Sequence, residues 1–74
     1  MMAQIVASVG IDVSKDRLDI AVHPGGEHFS VPNEDAGWRE LIRRLQPIGA
    51  RAIGIEASGG YERGAIGALL KAQL

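Results

Sequence analysis

The sequence predicts an α/β domain of order β-β-β-α-β-α, with a mixed sheet of three antiparallel strands plus a parallel fourth. Three observations carry this. The first part alternates apolar and polar residues with a period of two and is broken by short turns. Trp38, Leu41, Ile42 and Leu45 then follow the i, i+3, i+4, i+7 spacing of an amphipathic helix. Finally, the apolar run Ala52-Ile53-Gly54-Ile55 leads through a Ser58-Gly59-Gly60 turn into a second helical pattern.

Each element has local reasons. Gln4 to Asp12 places Ile5, Ala7, Val9 and Ile11 on one face and Val6, Ser8 and Gly10 on the other. Both sets are small or apolar, as in a strand covered on both sides. Val13-Ser14-Lys15-Asp16 reads as a turn. Arg17 to His23 alternates again through Leu18, Ile20 and Val22, Pro24-Gly25-Gly26 turns the chain, and Glu27 to Val31 forms a third strand. Pro32 ends that strand and Asn33 is the expected N-cap of the first helix. Acidic Glu34 and Asp35 come first and Arg39, Arg43 and Arg44 later, which suits the helix dipole. Pro47 and Gly49 stop the helix, and Arg51 to Ala57 is the fourth strand. A helix between the third and fourth strands lets the fourth lie parallel to the first. Tyr61 opens the second helix, with Ile66, Leu69, Leu70 and Leu74 on one side. The stretch from Ile66 to Leu74 stops without a Gly or Asn cap, so a truncated pattern is expected.

Composition sets bounds. Seventy-four residues allow one small domain, and 46% hydrophobic residues support a packed core. A formal net charge of -1 lacks the basic excess typical of nucleic-acid binders. The chain has no cysteine, which excludes disulfides and thiolate metal sites. Neither a signal peptide nor a membrane span is legible, so a cytoplasmic location without membrane contact is expected.

Two carboxylates are singled out by position. Asp12 ends the first strand and Glu56 the fourth. On parallel neighbours, roughly 4.8 Å apart, both would leave the same end of the sheet. Such a pair repels unless a cation lies between them. Hard oxygen ligands suit Mg²⁺ or Mn²⁺, and such ions serve phosphodiester chemistry. The bland alternatives are a turn aspartate bonded to its own backbone and a solvated glutamate. Lys15 and Arg17 are weaker candidates for contact with nucleic-acid phosphate, against a solvated turn. Arg39, Arg43, Arg44 and Arg51 read chiefly as an exposed face, and Trp38 as core. His23 and His28 lack the third ligand of a zinc site.

The segments Gly10-Ile11-Asp12-Val13-Ser14-Lys15-Asp16, Leu18-Asp19-Ile20-Ala21-Val22 and Ile55-Glu56-Ala57-Ser58-Gly59-Gly60-Tyr61 resemble the N-terminal DEDD domain of insertion-sequence transposases related to pilin-inversion recombinases. That family is RNase H-like and similar in fold to the RuvC Holliday-junction resolvase. The resemblance implies DNA transposition by metal-dependent cleavage and joining, with Asp12 and Glu56 as the first two of four acids. It also implies DNA as partner, a guide RNA, and a homo-oligomer. Residues 1–74 would then be the N-terminal part of the domain. The last two aspartates and a C-terminal domain, with its strand-exchange serine, would lie beyond Leu74. That role falls on neither Ser14 nor Ser58, and these residues alone are expected to be inactive.

Two other functions share the element order. One is the phosphate-binding lobe of an actin or sugar-kinase-like ATPase, in which Ser58-Gly59-Gly60 before a helix would bind an anion. Against it, the turn after the first strand is poor in glycine. The other is a non-catalytic module that dimerises through open sheet edges.

Overall fold

A computed structural model describes residues 7–57 and 59–74. The strands are β1 (Ser8–Val13), β2 (Arg17–His23), β3 (Glu27–Pro32) and β4 (Ala52–Ala57). Helix α1 (Asp35–Leu45) runs into a 3-10 turn, Gln46–Ile48, and α2 (Arg63–Lys71) follows β4. The sheet order is β3-β2-β1-β4. β1 pairs antiparallel with β2 and parallel with β4, and β2 pairs antiparallel with β3. This is the arrangement of the N-terminal half of an RNase H-like fold. The expected start of the first strand, Gln4 to Val6, lies outside the described residues, as does Ser58.

Period-two alternation decides which face is covered. Val9, Ile11, Val13, Leu18, Ile20, Val22 and Val31 are buried, and they pack with Leu41, Leu45, Ala65 and Leu69 from the helices. Both helices therefore share one face of the sheet. The opposite face carries Gly10, Asp12, Gly54 and Glu56, all exposed. The expectation that β1 is covered on both sides is thus corrected. The small residues Ser8 and Gly10 do not mark a second packed layer among the described residues.

Helix α1 meets the sheet through Gly37, Leu41 and Leu45, with Trp38 and Ile42 packed beside them. Leu41 and Leu45 are fully enclosed, so truncating either to alanine is of the class that costs about 2–5 kcal/mol. Asn33 is not the N-cap. Glu34 holds that position in extended geometry, without a side-chain cap bond. The Asn33 carboxamide is engaged elsewhere. Helix α2 ends at Lys71 rather than running through Leu74. Gln73 takes the left-handed conformation there, with φ of 63°, and the Leu74 N–H donates to the Leu69 carbonyl at 3.0 Å. This closes the helix as a C-terminal glycine or asparagine usually does.

The polar side of α1 is neutralised by its own spacing. Glu40 accepts from Arg43 Nη2 at 2.6 Å and from Arg44 Nε at 2.8 Å, and Asp35 accepts from Arg39. The Arg43 hydrogen bond first, then that of Arg44, lowers the Glu40 pKa from 4.5 to about 2. A depressed acid stabilises the fold above its unfolded pKa and stops doing so as pH falls through the folded one. We therefore expect α1 to lose a small increment of stability between pH 4.5 and about 2. The pair is exposed, so salt should shrink the effect. Melting curves of wild type and Glu40→Gln across that window test this, and equal acid sensitivity of the two would refute it.

Among the described residues, no helix is long and apolar enough to cross a membrane.

Candidate metal site on the open sheet face

The register of the sheet places the acids. Asp12 is the Cα partner of Glu56 across the parallel β1/β4 pair. It is also the partner of Asp19 across the antiparallel β1/β2 pair, and Asp19 is paired with Ser30 of β3. Residues in register point to the same side of a sheet. One row on the open face therefore reads Ser30, Asp19, Asp12, Glu56. The next row reads His28, Ala21, Gly10, Gly54. Small residues there leave a shallow trough of about 520 Å³ in front of the acids.

Local sequence explains the placement. The Ser14–Asp16 turn is tight: Ser14 donates to the Arg17 carbonyl through both its N–H and its hydroxyl, each at 2.9 Å. With the four residues Ser14 to Arg17 between them, Val13 pairs with Leu18, and so Asp12 with Asp19. At the other strand end, Gly59 and Gly60 have φ of 79° and 78°, the left-handed geometry that glycine adopts at no steric cost. That turn lets the chain leave Glu56 and re-enter as α2.

The three acids are not equivalent. Asp19 accepts from the Ser30 hydroxyl at 2.6 Å and from Arg17 Nε at 3.3 Å. The Ser30 bond first, and the Arg17 charge after it, hold its carboxyl below the usual range. Asp19 is thus drawn toward β3, away from Asp12. Asp12 and Glu56 make no side-chain hydrogen bond or ion pair with the described residues. Two exposed carboxylates on adjacent strands, paired with no cation among the described residues, fit the oxygen-donor set of a hard divalent ion. Among the described residues they gather no third His, Cys, Asp or Glu into a metal-binding group. A cation here would keep open positions for water or phosphate oxygens.

The remaining candidates are placed as follows. Lys15 is exposed in the turn beyond Asp12, at the acid end of the sheet. Arg17, one step past the acid row, is engaged with Asp19. Arg39, Arg43 and Arg44 are ion-paired within α1, so that face carries little free positive charge. His23 and His28 are exposed. Trp38 packs against the core and donates from Nε1 to Asn33 Oδ1 at 2.9 Å. The Gly-Gly turn is separated from the first turn of α2 by Tyr61 and Glu62. With Glu62 at the helix start and two acids nearby, the surroundings disfavour a bare phosphate. For self-association, β4 is an edge strand of the sheet. An apolar groove of about 180 Å³ lies beside it, and Leu70 on its lip is 68% exposed.

The sequence assigns Asn33 the role of an N-cap and Asp19 only a place in the β2 motif, and neither a role beside Asp12 and Glu56. Asp19 was legible in principle, because the short β1–β2 turn fixes its register against Asp12. Asn33 was not, since its partners lie 19 and 28 residues away in the chain.

No protein-family model matches this chain, and a comparison with curated proteins finds no match either.

Proposed function

We propose that this chain supplies part of a divalent-metal site for phosphodiester chemistry, as the N-terminal piece of a DEDD-type DNA transposase. Asp12 and Glu56 are the proposed ligands. The observation that carries the reading is the in-register pairing of these two acids on parallel strands, on an uncovered face. A Mg²⁺ or Mn²⁺ ion held there would supply Lewis acidity and an activated water. The chain's own contribution is to root two oxygen donors in register on neighbouring strands, whose backbones lie ~4.8 Å apart. The trough at Gly10, Ala21 and Gly54 leaves room for a backbone to approach the acids. Lys15, exposed in the turn beyond Asp12, is the proposed contact for a phosphate at the same end. Transposition of DNA, the guide RNA and oligomeric assembly belong to the same reading through the sequence resemblance. The acids beyond these two would come from outside residues 1–74, so DNA cleavage is not expected from this chain alone.

Paramagnetic broadening by Mn²⁺ tests the site. Amide signals around Asp12 and Glu56 are expected to broaden first, and Asp12→Asn and Glu56→Gln should each weaken the effect by about tenfold or more. Broadening centred elsewhere, or unaltered in both variants, would remove the basis of the reading.

A further inference from the structure

We propose that Asn33 is a positioning residue, clamping together the two turns that follow the acid-bearing strands. This rests on the reading of Asp12 and Glu56 as a metal site. The Asn33 Nδ2 group donates to the Ser14 carbonyl at 2.9 Å and to the Tyr61 carbonyl at 3.0 Å. Ser14 lies two residues past Asp12, and Tyr61 five past Glu56. One carboxamide therefore ties the outgoing end of β1 to the outgoing end of β4. The Asn33 N–H adds a third bond, to the Asp16 carbonyl at 3.0 Å.

The clamp is itself anchored. Asn33 Oδ1 accepts from Trp38 Nε1 at 2.9 Å, which fixes which end of the amide faces the turns. The indole in turn lies against α2, where an added Cβ on Gly64 would come within 2.1 Å of Trp38 Cη2. The chain of contact runs from the packed helices through Trp38 to Asn33 and then to both turns. Parallel pairing alone sets the spacing of the strands. Beyond the last rung of the ladder, among the described residues, the Asn33 side chain joins the two exits.

The chemistry requires an amide. Both turn partners are carbonyl oxygens, so the group between them must donate twice while accepting from Trp38. Aspartate has the same shape and keeps the acceptor, but it turns the donor into an oxygen facing two oxygens.

The test compares Mn²⁺ binding by the whole chain in wild type, Asn33→Asp, Asn33→Ala and Val22→Ala. Val22 is buried at the far end of the sheet and controls for general destabilisation. Asn33→Asp is expected to lose about tenfold in Mn²⁺ affinity, Asn33→Ala somewhat less, and Val22→Ala nothing despite a lower melting temperature. A folded Asn33→Asp or Asn33→Ala chain that binds as wild type does overturns the clamp and leaves the metal site standing. If wild type binds no Mn²⁺, the metal site itself fails. The clamp is then judged on ¹⁵N relaxation of the metal-free chains. Loosening of Lys15–Asp16 and Gly59–Tyr61 together, in the Asn33 variants only, supports it, and unchanged order at both turns overturns it.

Discussion

Gly37→Ala is expected to destabilise the fold by about 3 kcal/mol, at the upper end of the range for overpacking. A Cβ at Gly37 would lie 1.7 Å from the Pro32 carbonyl oxygen and 2.7 Å from its carbon. Both atoms are backbone, so no rotamer change relieves the clash. Helix α1 must lift from the end of β3, which pulls Leu41 and Leu45 from the centre of the core. The better helix propensity of alanine, about 1 kcal/mol, offsets only part of this. At about 0.1 kcal/mol per residue a chain of this size holds roughly 7 kcal/mol in total, so the loss is a large share of its stability. The melting temperature should fall by about 15 °C. Gly67→Ala is the matched control, because a Cβ there meets nothing within 4 Å. It should leave the protein unchanged or stabilise it by up to about 1 kcal/mol. Thermal melts of the two variants decide the matter. Similar melting temperatures would show that the α1–β3 approach is not as tight as described.

Asp12→Asn should have effects of opposite sign on stability and on metal binding. In the folded chain Asp12 is flanked in register by Asp19 on one side and Glu56 on the other. Like charges directly opposite across strands destabilise by roughly 0.2–1 kcal/mol per pair. Without metal, the neutral amide should therefore raise stability by up to about 1 kcal/mol, and added salt should shrink the gain. With Mn²⁺ the order reverses. Wild type gains stability through linkage as the ion binds the folded state, while the variant gains little. Urea unfolding with and without Mn²⁺ measures both effects. A variant less stable than wild type in both conditions would mean that the Asp12 carboxylate has a structural partner, and that the acid row is not under repulsion.

How far the residues speak for themselves varies along the chain. The β2 boundaries, Arg17 to His23, follow from strict alternation, and the α1 face follows from Trp38, Leu41, Ile42 and Leu45. Where the reading slipped, a local signal had two physical uses. Asn33 looks like an N-cap because a short amide before a helix commonly bonds the first turn. Here the same donors bridge two distant turns, and the helix starts without a side-chain cap. Ser8 and Gly10 suggested a covered face because small residues suit close packing. On the open face Gly10, with Ala21 and Gly54, instead leaves a trough in front of the acids.

Residue order by itself determined the element sequence, the buried faces of β2 and α1, and the positions of Asp12 and Glu56 at strand ends. These depend on periodicity and turn chemistry, which act over a few neighbouring residues. Only the tertiary structure decided that β4 lies beside β1 in a register matching Glu56 to Asp12, and that Asp19 joins their row while being held toward Ser30. It alone assigned the Asn33 carboxamide to the Ser14 and Tyr61 turns. Those outcomes depend on contacts between residues far apart in the chain, whose register is selected by burying one sheet face under two helices.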